Sequence, residues 1–184
     1  MQNDEILTIK AALLYILNRV PDNKRSIYFI VKTAFYAQEK HLSQWGVPLF
    51  ADDICALKFG PVPSLIYDIL KGARGDQQLY DTRLIEIAQS IKYSDEDFYA
   101  TEEADMGWLS KAAIECLDSA IDLIAKKSFS DVCEATHESE EYKRARKRPG
   151  KKVMNPIKIA EDAGAEDWVI EYLTEHYQIT TALG

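Results

Sequence analysis

Residues 51–70 read Ala-Asp-Asp-Ile-Cys-Ala-Leu-Lys-Phe-Gly-Pro-Val-Pro-Ser-Leu-Ile-Tyr-Asp-Ile-Leu, with Gly60-Pro61-Val62-Pro63 at the centre. Each proline holds its own φ near −65° and pushes the residue before it towards extended geometry, so Gly60 and Val62 are disfavoured in a helix. Gly60 is free to take a positive φ or to let another backbone approach closely. Pro63 suits the first position of a helix, where a missing N–H loses no partner. The stretch therefore reads as a rigid corner that feeds a helix over about 63–73. It is either a surface or joint whose shape matters, or an ordinary rigid connection, and local physics leaves both open.

Working outward, Leu65, Ile66, Ile69 and Leu70 supply the buried side of that helix, with Tyr67 and Asp68 beside the stripe. Gly72 and Gly75 end it. Before the corner, Ile54–Phe59 is a strand or an irregular extended piece, and Val47-Pro48-Leu49-Phe50 is at best an edge strand because of its proline. Two amphipathic helices precede these, over about 4–19 (Ile6, Ile9, Leu13, Ile16, Leu17) and 27–42 (Ile27, Ile30, Val31, Ala34, Phe35, Leu42). Ser26 is placed to cap the second, Trp45-Gly46 closes it, and Tyr28, Tyr36 and His41 lie off or beside its stripe.

Downstream, Leu84–Ala88 suggests a short helix, and Ile91–Tyr93 with Phe98–Ala100 a hairpin around Ser94–Asp97. A helix over 111–126, capped by Ser110, is expected to be central, with Ala113, Cys116, Leu117, Ala120, Leu123 and Ile124 inward. Ser128 and Asp131 form a capping box for a short helix that ends near Thr136-His137. A charged helix over 140–148 stops at Pro149-Gly150, and Asn155-Pro156 opens another short one. A last helix, 166–177, presents Trp168, Val169, Tyr172 and Leu173 before a frayed tail at 180–184. The sum is a mainly α chain: a single compact helical domain with a small β-hairpin or short-strand element.

A chain of 184 residues, 47% hydrophobic and 28% charged, is long enough for one good core. The apolar run Ala11–Leu17 is far too short to span a bilayer, and the acidic amino terminus lacks the layout of a signal peptide, so a cytoplasmic protein is the default. Cys55, Cys116 and Cys133 are odd in number and widely spaced, which fits reduced buried thiols. The net charge of −8 repels nucleic acid and anionic lipid. Against that trend, residues 143–152 hold seven of the 22 basic residues and no acid, leaving 15 basic against 30 acidic elsewhere. This run is either a docking patch for an acidic partner or RNA, or a solvated helix end facing the protein's own acidic surface. The second is the plainer reading.

No phosphate loop or dinucleotide fingerprint occurs. Cys133 and His137 stand four apart on one helix face, enough for two metal ligands but with no candidate for the others. The same two residues could make a nucleophile–base pair, though a buried thiol and a histidine that caps a helix end are the simpler reading. The paired carboxylates (Asp52-Asp53, Glu102-Glu103, Glu140-Glu141) read as solvated in so acidic a chain. Tyr36, Trp45 and Trp108 are aromatics of a core rim or of an interaction surface.

Leu49-Phe50, Ala56-Leu57-Lys58-Phe59-Gly60-Pro61-Val62, Leu65 and Tyr67 are followed by Ala104-Asp105, Leu109-Ser110 with the helix after it, and Thr136-His137-Glu138 with Tyr142. In order and spacing this set, over about 8–148, resembles the SocA-like Panacea-domain antitoxins, also labelled phage-associated proteins. It departs at Leu57, where the family pattern has an aromatic, and at Tyr142, where it has tryptophan. The segment after 150 lies outside the shared part. The resemblance implies a domain over 1–150 with a C-terminal helical extension, 151–184, packed on it. It implies an antitoxin, not an enzyme, that binds and neutralises a cognate toxin protein from a neighbouring gene by direct contact. Different members oppose unrelated toxins. An alternative is a protease adaptor that delivers its toxin for degradation, which would add a cytoplasmic protease as partner. From another class comes a small hydrolase or transferase using His137.

On this reading Lys58, Phe59, Gly60, Pro61, Val62, Tyr67, Thr136 and His137 are motif residues with a structural role. Tyr36, Trp45, Tyr67 and Tyr142 are candidate partner contacts. No residue is catalytic, no metal or other cofactor is expected, no membrane is a partner, and the run 143–152 is the one candidate for nucleic acid.

Overall fold

The computed structural model describes residues 1–183, with side chains through Tyr177. Helix α1 (Asn3–Arg19) departs from the amphipathic pattern expected of it, because Ala11–Leu17 is buried on every side. It can be so because helix α2 (Ile27–Trp45), helix α5 (Lys111–Ala125) and a hairpin of β3 (Ile91–Ser94) with β4 (Asp97–Ala100) surround it. The hub is α2, which packs against α1, α5 and the C-terminal helices, so the centrality expected of the 111–126 helix belongs to 27–45 instead. Helix α5 lies along it. Leu123, expected inward, is 38% exposed, since it falls at the edge of the stripe made by Ala113, Leu117, Ala120 and Ile124.

The expected hairpin at 91–100 is present. Its turn is Asp95-Glu96, both with positive φ (53° and 69°), the twist that a two-residue hairpin requires. A second hairpin stands where the corner was expected. Strand β1 (Ile54–Leu57) pairs antiparallel with β2 (Gly60–Pro63) through the two-residue loop Lys58-Phe59. Two prolines in one strand are tolerated for a reason of alternation. Pro61 and Pro63 face Ala56 and Ile54. At those two positions β1 turns its own backbone outward, because Ala56 N–H donates to Lys152 O (2.9 Å) and Ile54 O accepts from Met154 N–H (2.8 Å). The N–H groups that proline lacks are therefore ones the hairpin does not use.

No strand forms at 47–50 among the described residues. The Gln38 side chain takes the place of a strand partner, accepting from Leu49 N–H (2.8 Å) and Phe50 N–H (3.2 Å) and donating to Phe50 O (3.1 Å). Helix α3 (Ser64–Arg74) follows β2 directly, and the Asp52 carboxylate caps it by accepting from Leu65 N–H (2.9 Å) and Ile66 N–H (3.1 Å). Gly72 lies within that helix against Leu79, and Gly75 ends it with φ +88°.

Helix α6 (Phe129–Glu138) carries the side-chain cap expected from Ser128, and helices α4 (Thr82–Gln89) and α7 (Glu140–Lys147) are capped by Asp81 and Ser139. Helices α8 (Pro156–Asp162) and α9 (Asp167–Leu183) complete the chain. Gly184, the end of the tail expected to fray, lies outside the described residues.

Ile159, Ala160 and Leu173 join Phe35, Leu42, Ile54, Ala56, Tyr142 and Ala145 in a second apolar cluster beside the main core. Val169 and Leu173 face inward on α9, while Trp168 (57%) and Tyr172 (49%) are exposed. Glu141, 1% exposed, ties α7 to the start of α8 by accepting from Asn155 N–H (2.8 Å) and pairing with Arg148 (2.9 Å).

Candidate functional site

The Gly60 end of the β1–β2 hairpin is clamped between two helices. Gly60 takes φ +100°, a conformation that L side chains rarely adopt. A Cβ there would land on Thr136 Oγ1 and stand 2.5 Å from Lys32 Nζ. The positive φ foreseen for this glycine is thus present, and the close approach is made by the side chains of Thr136 and Lys32 instead of by another backbone.

The neighbours explain why. Lys32, on α2, is fully buried, and its amine donates to Pro61 O at 2.6 Å. Burial pushes that amine down to about 7, with the nearby Cys133 sulfur opposing the shift. Thr136, on α6, is buried, and its hydroxyl donates to Val132 O at 2.9 Å.

On the other strand, the Tyr142 hydroxyl from α7 donates to Leu57 O at 2.8 Å. The same hydroxyl lies 3.0 Å from His137 Nε2, and the two rings stack 4.8 Å apart with an 11° tilt. Cys133 Sγ approaches that nitrogen at 3.6 Å. Helices α6 and α7 therefore hold both sides of the hairpin through one Thr-His-Tyr strap.

Outside the clamp, Phe59 (50%) and Phe129 (46%) are exposed with ring centroids 5.8 Å apart, and Tyr28 packs on Phe129 with centroids 4.3 Å apart and the rings tilted by 39°. With Val31, Val62 and Tyr67 they edge an apolar cleft of about 460 Å³. Lys58 Nζ stands 5.1 Å from the Phe59 ring and Lys71 Nζ 4.6 Å from that of Tyr67. A smaller cleft of about 370 Å³ carries Tyr36, Glu39, Glu138, Glu140 and Asp162. Burial and then the charge of Asp162 push the Glu39 carboxyl up to about 7 there.

The fold brings together Lys58, Phe59, Gly60, Pro61, Val62, Tyr67, Thr136 and His137 around one hairpin end. Lys58 and Phe59 form its exposed tip, Pro61 and Val62 are buried in β2, and Tyr67 is half-buried at the cleft. Tyr36 faces the acidic cleft. Trp45 is 48% exposed at the far end of α2, roughly 20 Å along the helix from Lys32. Tyr142 is 5% exposed and its hydroxyl already serves the hairpin, so its place is inside the strap and not on a contact surface.

Lys32, Phe129 and Gln38 were not anticipated. A lysine one step off an apolar stripe looks solvated in a sequence, and nothing local shows that a carbonyl from another segment waits for it. In the basic run, Lys143, Arg148 and Lys151 pair with Glu140, Glu141 and Asp53. Arg146 and Lys152 donate to Ala56 O and to the Arg146 and Arg148 carbonyls, while Arg144 and Lys147 face solvent. Among the described residues no three His, Cys, Asp or Glu side chains gather as a metal-ligand set, and no helix is long and apolar enough to cross a membrane.

The hairpin is thus held by the Tyr142 hydroxyl on Leu57 O, with Thr136 and His137 packed beside Gly60 and Tyr142. Residues 30–143 match the family described as antitoxin SocA-like, Panacea domain, and the chain belongs to that family. The match lies within the 8–148 span expected from the motifs. Neither the curated proteins nor the solved structures yielded a match.

Proposed function

We propose that this chain is the antitoxin of a toxin–antitoxin pair, binding and neutralising a toxin protein encoded by a neighbouring gene through direct contact in the cytoplasm. The observation that supports this is membership of an antitoxin family over most of the chain, 30–143. The motif residues fit a non-catalytic part: Gly60, Pro61, Thr136 and His137 serve as scaffold, and Tyr36, Trp45 and Tyr67, all reachable from solvent, serve as contacts. Residues 1–150 form the family domain, and 151–184 an extension that shields the outer edge of β1. The acidic surface speeds encounter with a basic toxin.

The test is co-expression of the chain with the product of each adjacent gene. Relief of toxicity together with a stable complex on pull-down is expected. An adjacent product that is neither toxic nor bound would sink the reading. A toxin whose level falls in the presence of this chain, and recovers when proteases are disabled, would replace neutralisation by delivery for degradation.

A further inference from the structure

We propose that the acidic cleft between α2, α6 and α8 seats an arginine side chain of the partner protein, with the guanidinium between the Glu39 and Asp162 carboxylates. This deepens the antitoxin reading and rests on it for the identity of that partner, the toxin.

Among the described residues that line this cleft there is no lysine, arginine or histidine. Glu138 from α6, Glu140 from α7 and Asp162 from α8 stand exposed around its mouth. Glu39, on α2, lines the interior. Its carboxyl is deeply buried, and among the described residues it makes neither a hydrogen bond nor an ion pair. Lys40, the next residue, turns away to Ser119 on α5 at 2.7 Å. Asp162 spends only Oδ2, which accepts from the Ser139 hydroxyl (2.6 Å) and from Glu141 N–H (2.8 Å), so Oδ1 stays open. Glu140 pairs with Lys143 at 2.8 Å. Tyr36 completes the titratable groups facing Glu39.

A buried carboxyl without a partner costs free energy once it ionises. Burial, and then the charge of Asp162, hold Glu39 at about 7. A cation brought by another molecule relieves both effects at once. A metal ion is the poorer fit, because among the described residues no three such side chains gather as a ligand set. A guanidinium is flat and carries five donors in a fork, so one group can serve Glu39 and Asp162 Oδ1 together, with the Tyr36 ring beside it. Phe35, Ala135 and Ala163 offer apolar walls to its methylene stem. At about 370 Å³ the cleft is at the small end for ligand sites, the scale of one long side chain.

The probe is the end-blocked peptide Gly-Arg-Gly, titrated into the full chain at moderate salt and followed by amide chemical shifts. The control peptide carries citrulline, which has the same shape without the charge. At pH 8 shifts are expected at Tyr36, Ala135, Ser139 and Ala163, and the citrulline peptide should bind about tenfold more weakly, the scale of one hydrogen bond to a charged group. Glu39→Gln should weaken the arginine peptide by about tenfold. Asp122→Asn, the same change of charge on the exposed side of α5, should alter it by less than about twofold, because distant surface charges are screened. A carboxyl held near 7 multiplies its ionised fraction about tenfold between pH 6 and pH 8, so affinity should rise by that factor in the unmutated chain and stay flat in Glu39→Gln.

Equal losses in the two variants would mean diffuse attraction to an acidic surface and would overturn the proposal, as would equal binding of the citrulline peptide. If Glu39→Gln does not fold, the pH profile of the unmutated chain decides, and a change under about twofold between pH 6 and pH 8 overturns it. A chain that relieves toxicity but does not bind the arginine peptide overturns this inference and leaves the antitoxin reading standing. Peptide binding by a chain that neutralises no adjacent gene product supports the cleft and removes only the toxin as the source of its arginine.

Discussion

Gly60→Ala is the substitution that puts most of this structure at risk. At φ +100° a residue with a Cβ is strained by about 1–2 kcal/mol before it meets any neighbour. The new methyl would also clash with Thr136 Oγ1 and stand 2.5 Å from Lys32 Nζ. Lys32 is fully buried and cannot swing to solvent without giving up Pro61 O, a bond at 2.6 Å. Losing that bond costs about 1–2 kcal/mol, between the values for neutral and charged donors. The sum is about 2–4 kcal/mol, a large share of a domain's usual stability.

Gly75→Ala is the control. Its φ is +88°, yet no atom lies within 4 Å of its would-be Cβ, so it isolates the backbone strain at about 1–2 kcal/mol. Urea unfolding of both variants, read by circular dichroism, measures the difference. Gly60→Ala should shift the midpoint about twice as far as Gly75→Ala with an unchanged slope. If the two variants lose stability equally, the clamp around Gly60 has no energetic content and the reasoning is refuted.

Tyr142→Phe removes the side-chain donor to Leu57 O and should lower stability by about 1 kcal/mol, seen as a lower melting temperature and faster amide exchange in the hairpin. An unchanged melt would mean that the strap is incidental. Gln38→Leu strips the partners from Leu49 and Phe50 and should destabilise by about 2–3 kcal/mol despite the apolar replacement. A neutral outcome would show that water reaches this loop. The amine of Lys32 is held near 7 in the fold against 10.5 when unfolded, so the folded chain binds fewer protons between those values. Its contribution to stability is therefore present at high pH and lost as pH falls through about 7, with a slope approaching about 1.4 kcal/mol per pH unit within the window. The unmutated chain should gain on Lys32→Met between pH 7.5 and pH 9.5 in urea titrations. Parallel pH trends would contradict the buried amine.

Much that this protein is was legible locally. The capping residues Ser110 and Ser128 with Asp131, and Asn155 with Pro156, hydrogen-bond within a few residues of themselves, and their helices start where those side chains predict. The hairpin at 91–100 needed only its turn and its alternation. The Gly-Pro-Val-Pro run excluded a helix whatever surrounded it, and with Thr136-His137 it marked the family.

What depended on distant partners was not legible. Prolines argue against a strand unless one knows which N–H groups the ladder spends, and that is decided by residues 152–154 binding the far side of β1. Gln38 stands in for a strand, and Leu123 falls on the open side of α5. Lys32 is buried because one carbonyl, 29 positions along the chain, accepts its amine. The meeting of Tyr142 with Leu57, 85 residues apart, is likewise a product of packing, not of pattern. Local chemistry chose where helices begin and where none could form; the choice of which backbone and polar groups satisfy one another belonged to the tertiary structure, because each such bond needs both partners brought to one place.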